Sequence, residues 1–274
     1  MKNIQVQKAE NLLALHHAGH LLVLPNIWDV IGAKLLEHAG YPAVATASAA
    51  VAYSRGYYDG EKISFRKLLK ILKEICDGTS LPVTADIERG YAETTVQLRN
   101  NIKALIECGV VGINIEDSDE NKKLLSTDRQ CDKIRVIRKV SDDLGIRLVI
   151  NARTDIFLQE DFAGNKIAAA AERARQYMEA GADCFYPILC NNDELSEIKS
   201  LLDIPINVIA TKDTYPMHKL EEMGIARLSL GPGLLRVALS RMQAVIRHLK
   251  DYEDYGSFTG EDVMTSADIR EIIQ

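Results

Sequence analysis

The sequence lacks what several protein classes require. Its five cysteines (Cys76, Cys108, Cys131, Cys184 and Cys190) are scattered, odd in number and form no C-x-x-C pair. That argues against a disulfide framework or a thiolate zinc site and predicts reduced thiols. No apolar run is long enough to cross a bilayer, and the first residues, MKNIQVQKAENLL, lack the apolar stretch and cleavage site of a secretory leader. The expectation is a soluble cytoplasmic protein with no membrane partner. Basic charge is not in excess: 33 Lys and Arg against 39 Asp and Glu give a net charge of -6, so no nucleic acid partner is expected. Internal repeats and low-complexity tracts are absent as well. What is present is a 274-residue chain, 47% hydrophobic and 26% charged, enough for one large α/β barrel or two ordinary domains.

Short Val- and Ile-rich runs alternate with amphipathic stretches at helical spacing. Strands are expected at 21–25, 43–47, 82–86, 111–116, 147–151, 183–187, 205–209 and 227–230. Eight is the number that closes a TIM-type (β/α)8 barrel. The runs are continuously hydrophobic, as in a parallel sheet covered by helices. Several helices stop at glycine before the next strand, at Gly40, Gly109 and Gly181. An open doubly wound sheet is the competing topology, but no G-x-G-x-x-G follows the first strand. An extra helix is expected over 6–17, and a long helix over 234–252 is followed by a polar, loosely packed segment. The simplest division is a barrel domain with terminal helices over 1–256 and an extension over 257–274.

In such a barrel, chemistry sits at the carboxyl ends of the strands. Those ends carry Thr46, Ala47 and Ser48, then Asp86 and Glu88, Glu116 and Asp117, and Arg153 and Asp155, with Tyr58, Asp59 and Gly60 in the loop after the second strand. Asp86 and Glu88 are two apart, so an extended strand end would point both carboxylates to one face. Carboxylates packed this closely repel unless they share a cation, and all-oxygen ligation suits Mg²⁺, with Mn²⁺ as the alternative. Arg153 on the same rim offers a bidentate fork for a substrate carboxylate. The plainer alternative is a structural ion-pair ring of Asp86, Glu88, Glu116, Arg153 and Asp155.

The segments LPNIWD, TASAA with Tyr58-Asp59-Gly60, TADIERGY, GINIED, NARTD and ARLSLGPGLLR together resemble the isocitrate lyase/phosphoenolpyruvate mutase superfamily over roughly residues 21–249, and its short bacterial members most. The resemblance implies a TIM-like barrel whose last helix is exchanged between subunits, giving homodimers or homotetramers. It also implies a Mg²⁺ site for a small 2-oxo acid or its enolate. Carried over by position, Asp86 is the direct metal ligand, with Asp59, Glu88 and Glu116 acting through water. Thr46, Ala47 and Ser48 hold the substrate carboxylate, and Arg153 is the substrate-binding arginine. Glu88 stands where the family usually has Asp.

Two departures bear on activity. Where carbon–carbon lyases of the family carry a Lys-Lys/Arg-Cys-Gly-His loop, this chain reads Lys122-Lys123-Leu124-Leu125-Ser126. Leucine has no proton to give, which disfavours standard isocitrate or methylisocitrate lyase chemistry. The loop of the phosphorus–carbon branches and their histidine after strand six are also missing; Asn121 is a candidate polar stand-in, and Tyr186 is what the sixth strand offers. The expected function is therefore Mg²⁺-dependent cleavage of a bond at C3 of a 2-oxo acid, as an oxaloacetate-type decarboxylase or a carbon–carbon lyase or hydrolase. Arg153, Lys122 and Asn121 are its candidate catalytic residues, with Tyr58 a candidate proton donor. The alternatives are phosphonopyruvate hydrolase or mutase chemistry, or a silent 2-oxo-acid-binding protein.

Other signals are weaker. His16 and His20 are at helical spacing but have no accompanying Glu, and Gly19 intervenes, so they are expected to pack. Gly231-Pro232-Gly233 fits a phosphate-binding turn and a plain tight turn equally well.

Overall fold

The computed structural model describes residues 2–251, 255–261 and 263–274. Every expected strand is present: β1 (Leu22–Leu24) and β2 (Asn26–Ile27), then β3 (Val44–Thr46), β4 (Val83–Asp86), β5 (Gly112–Glu116), β6 (Val149–Thr154), β7 (Cys184–Pro187), β8 (Asn207–Ile209) and β9 (Arg227–Ser229). All pairings are parallel. They run in chain order from β2 to β7, while β9 lies between β1 and β8.

β1 and β2 are two halves of one strand. Pro25 between them has no N–H to donate, so the ladder breaks there, the first half pairing with β9 and the second with β3. On the other side, the parallel bridge Phe185–Ile206 joins β7 to the start of β8, and Phe185 N–H donates to Pro205 O at 2.9 Å. The circle is complete: a TIM-type barrel, not an open sheet. β6 starts later than the sequence implies and runs on to Thr154, so Arg153 is a strand residue and not part of the following loop.

The helices are α1 (Lys2–Leu15), α2 (Val30–His38), α3 (Ser48–Tyr53), α4 (Phe65–Gly78), α5 (Thr95–Glu107), α6 (Thr127–Leu144), α7 (Lys166–Glu179), α8 (Asn192–Leu201), α9 (Met217–Glu222), α10 (Gly233–Lys250), α11 (Gly256–Thr259) and α12 (Ser266–Ile273). Their boundaries have local causes. Thr94 and Gln97 form a capping box at the start of α5, as Asn191 and Glu194 do for α8. After α5 the chain turns through Gly109 at φ +108°, where a Cβ would lie 2.9 Å from that of Cys76.

α1 begins four residues earlier than expected and packs near the amino-terminal end of the barrel. Ala9 and Leu12 are buried, and Gln5 Nε2 donates to Ile106 O at 2.6 Å. Leu12 comes so close to Gly112 that a Cβ there would sit 2.7 Å from Leu12 Cδ2. The segment expected to be loosely packed instead holds α12, which has a capping box at Thr265 and Asp268, lies against α2 and buries Ile272. Tyr252, the expected end of the long helix, lies outside the described residues. Among the described residues no helix is long and apolar enough to cross a membrane.

The hydrophobic reading of the strands applies to one of their two faces. Val83, Ala85, Ile113, Ile115, Ile150, Ala152, Phe185 and Leu228 alternate with the inward residues and belong to the main hydrophobic core. The inward face carries polar groups besides Leu22, Leu24 and Val149: Asn151 Nδ2 donates to Asn114 Oδ1 at 2.7 Å, Ser229 Oγ to Asn207 Oδ1 at 3.1 Å, and Arg227 Nε to Ser229 Oγ at 3.2 Å. The small residues Ala45, Thr84 and Gly112 share this face by register.

Candidate active site

Asp86 ends β4 at the centre of the carboxyl rim. Its Oδ2 accepts from the Ser48 amide at 3.1 Å and the Ser48 hydroxyl at 2.8 Å, while its own N–H donates to Thr46 Oγ1 at 3.1 Å. Ala47 N–H goes to Ile27 O at 3.4 Å. The 46–48 segment, expected to grip a substrate carboxylate, thus gives its donors to Asp86 and the neighbouring strand.

Glu88 reaches the same place by a route the sequence argument did not foresee. β4 stops at Asp86, and Glu88 has φ +50°, so a left-handed turn and not strand alternation returns its carboxylate to the rim. Oε2 accepts from Glu61 N–H at 2.7 Å and Oε1 from the Tyr91 hydroxyl at 2.9 Å. Glu61 and Tyr91 are left-handed too, and Glu61 pairs with Arg89 at 2.7 Å. Strained backbone concentrated on one rim is typical of a functional site. Burial, then Asp86 and Asp59, push the Glu88 carboxyl up to about 7. Asp59 is likewise raised, by burial and by Asp86, with Ser48 pulling the other way.

Register places Glu116, Arg153 and Tyr186 side by side on β5, β6 and β7. Arg153 Nη1 lies 2.5 Å from Glu116 Oε1, and Nε lies 2.6 Å from Asp155 Oδ1. Burial opposes the guanidinium charge, but Glu116 and Asp155 outweigh it and hold Arg153 charged. Glu116 is raised well above the carboxylate range by burial, with Arg153 acting against it. Among the described residues nothing accepts from Arg153 Nη2. The ion pairs of the plainer reading therefore exist, with one edge of the fork left over.

A second layer supports these groups; the strand-end acids Asp117 and Asp155 are legible in the sequence, their partners Arg173, Tyr177, Ser118 and Lys133 are not. Asp117, with no exposed surface, accepts from Arg173 at 3.1 Å, the Tyr177 hydroxyl at 2.7 Å and Asp155 N–H at 2.8 Å. Asp155 Oδ2 accepts from Ser118 Oγ at 2.7 Å, tying the Arg153 mount to the loop after β5. Lys133 Nζ donates to Glu116 O at 3.2 Å, and burial pushes its amine down to about 8. These links join residues 17 to 60 positions apart, and no local spacing announces them.

Three candidates stand apart from the cluster. Tyr58 is 84% exposed, and no hydrogen bond among the described residues ties it to the carboxylates. Asn121 and Lys122 are exposed on a hairpin closed by the Ser118–Leu124 bridge; Asn121 N–H donates to Asp119 Oδ1 at 2.8 Å, and Lys122 O accepts from Gln159 at 3.0 Å. A cavity of about 840 Å³ lies beside the rim among Glu61, Arg89, Ser118, Arg129 and Lys133, and Asp86 and Arg153 do not line it. Charge is concentrated in the carboxylate cluster, outside this cavity.

His16 is buried while His20 is exposed, and Gly231-Pro232-Gly233 forms a tight turn whose Leu230 and Gly231 amides donate to Asn26 Oδ1 at 2.8 and 2.9 Å. Among the described residues no three His, Cys, Asp or Glu side chains form a ready metal cage. One central carboxylate with others around it suits a hard cation that keeps most of its waters.

Residues 12–250 match the model of the phosphoenolpyruvate phosphomutase family. The chain belongs to that family. A 2-methylisocitrate lyase of Halalkalibacterium halodurans is 27% identical over 98% of this chain and 90% of its own length. An uncharacterized protein of Mycobacterium tuberculosis is 31% identical over 79% of this chain and 80% of its own. The solved oxaloacetate acetylhydrolase, in complex with the product oxalate, superposes with a TM-score of 0.86 over 97% of this chain and 93% of that one at 20% identity, a likeness of fold. Membership of the isocitrate lyase/phosphoenolpyruvate mutase superfamily is borne out, and with it the expectation of an enzyme.

Proposed function

We propose that this family member is a Mg²⁺-dependent enzyme that breaks a bond at C3 of a small 2-oxo acid through its enolate, as an oxaloacetate-type decarboxylase or a carbon–carbon lyase or hydrolase. The observation that carries the reading is the ring of carboxylates around Asp86, raised first by burial and then by one another, beside a charged Arg153 with a donor to spare. Mutual repulsion of this kind favours binding of a hard cation. Asp86 would hold the ion directly, and Asp59, Glu88 and Glu116 through its waters. Bound there, a divalent ion supplies Lewis-acid polarisation of the 2-oxo group.

The remaining work falls to the chain itself. Arg153 Nη2 and the 46–48 segment orient the substrate carboxylate, the Ser48 donors turning from Asp86 to the ligand. Glu116 and Asp155 fix the plane of the Arg153 fork. Asn121 and Lys122 project from the loop that Ser118 ties to this mount and supply polar groups on its outer side. Carbon–carbon cleavage is favoured over phosphorus–carbon cleavage by the absence of a histidine after β7, where Pro187, Ile188 and Leu189 follow Tyr186.

We further propose a homo-oligomer formed by exchange of α10. Leu235 is its buried apolar residue, while Leu239, Met242, Ile246 and Leu249 are exposed, a face that the barrel of the same chain does not cover.

The test is an NMR time course with oxaloacetate, phosphonopyruvate and branched malates, with Mg²⁺ and with chelator. Metal-dependent loss of a carbon substrate is expected; loss of phosphonopyruvate alone would move the assignment to the phosphorus–carbon branch. Asp86→Ala is expected to abolish Mg²⁺-dependent oxalate binding by calorimetry while leaving the circular dichroism spectrum unchanged. Unchanged affinity in that variant would remove the metal assignment.

A further inference from the structure

An enolate formed at this site needs a proton at C3, and the loop after β5 offers Leu124 where a cysteine donor would stand. The proton-bearing groups nearby are mostly committed. The Ser48 hydroxyl donates to Asp86, the Tyr91 hydroxyl to Glu88 and the Tyr177 hydroxyl to Asp117. Tyr58 is 84% exposed, and Lys122 is held out on its hairpin.

Tyr186 is different. It is the register partner of Arg153 on the adjacent strand, so its side chain leaves the sheet on the same inward face. The residue is 4% exposed, yet its hydroxyl has no hydrogen-bond partner among the described residues and, unlike the sealed polar atoms of the interior, keeps accessible surface. The charges acting on the phenol are Arg153, then Asp86, Arg227 and Glu116. Arg227 is 1% exposed, and both of its Nη atoms lack partners among the described residues. The phenol therefore lies in the field of two guanidinium charges and the central aspartate. A hydroxyl that is unpartnered yet accessible on the inward face is open to a ligand entering from the rim. Burial holds the phenol protonated through the ordinary pH range.

We propose that Tyr186 is a catalytic residue whose hydroxyl delivers the proton to C3 of the enolate, replacing the absent loop cysteine. The assignment rests on the 2-oxo-acid reading given above. With oxaloacetate, the C3–C4 bond breaks, CO2 leaves without the bonding pair, and that pair becomes the C2–C3 double bond of the enolate. The double-bond pair then takes the proton from the Tyr186 oxygen to form a new C3–H bond as the C2 carbonyl is restored. The phenolate regains a proton from water, with Arg153 and Arg227 stabilising it in the interval. The sum is oxaloacetate plus one proton giving pyruvate and CO2. Arg227 is a positioning residue in this scheme, acting through the phenol.

Microscopic reversibility supplies the test. In D2O with Mg²⁺, the wild-type chain is expected to exchange the C3 hydrogens of pyruvate for deuterium, read by proton NMR. Tyr186→Phe removes a single unpartnered oxygen, so the fold is expected to persist. The variant should lose exchange by about 100-fold or more, the usual contribution of a general acid, while calorimetric affinity for oxalate with Mg²⁺ stays within about threefold. A smaller loss of exchange overturns the assignment, as does a parallel loss of oxalate affinity or a loss seen in Tyr58→Phe and not in Tyr186→Phe. A wild-type chain that neither exchanges pyruvate nor consumes any 2-oxo acid removes the functional reading, and this assignment with it. Turnover by wild type with full exchange in Tyr186→Phe leaves that reading standing and removes Tyr186 alone.

Discussion

His16 offers a direct check on the charged interior of the barrel. It follows α1 and is 3% exposed, and its Nδ1–H donates to Leu12 O at 2.8 Å, leaving Nε2 without a partner among the described residues. Burial, then the Arg227 charge, push its imidazole down from 6.5 to about 4, and the neighbouring His17 adds to the effect. Between those values the unfolded chain binds a proton that the folded chain refuses. Stability therefore rises with pH through this window and is lost as pH falls from about 6.5 toward 4. At about 1.36 kcal/mol per pH decade the full effect is about 3 kcal/mol, of which about 2 kcal/mol is lost between pH 7 and pH 5. His16→Asn keeps an N–H for Leu12 O but cannot take up the proton. The variant is expected to be about 1–2 kcal/mol less stable than wild type at pH 7, from lost packing, and this gap should close by about 2 kcal/mol at pH 5. Urea unfolding of both proteins at half-unit pH steps measures the difference and cancels every other titrating group. A gap independent of pH would refute a buried neutral His16.

Two further outcomes test other parts of the structure. Asp117→Ala strands the buried Arg173 and removes the acceptor for Tyr177 and Asp155 N–H, so a loss of about 3–5 kcal/mol is expected; scanning calorimetry should show Tm lower by about 6–20 °C, and a drop of under about 2 °C would show the network to be dispensable. Met242→Glu with Ile246→Glu places charge on the exposed face of α10; sedimentation velocity should find the assembly broken to monomers, whereas an unchanged sedimentation coefficient would exclude that face from the interface.

Much of this protein is legible from its sequence because the relevant signals are local. The strands, the glycines that end the helices and the acids at strand ends all follow from spacing within a few residues. Asp86, Glu116 and Arg153 are legible in this way, since a barrel puts every strand end on one rim. The same logic failed for Glu88, whose two-residue spacing implies extended chain where the backbone turns left-handed. It also missed the polar groups of the inner face, because a hydrophobic run does not say which of its residues face the helices.

The sequence by itself determined a closed parallel barrel with an acidic rim: eight alternating units of the right length leave few other ways to bury their apolar faces, and βα order sets which strand ends share a side. Tertiary structure decided the partners on that rim. That Arg153 lies between Glu116 and Tyr186, that Asp117 anchors it through Asp155, that Arg227 lies within range of both Tyr186 and Asp86, and that α10 leaves its apolar face uncovered all depend on contacts between segments tens of residues apart. Such contacts are fixed by register and packing, and periodicity along the chain does not encode them.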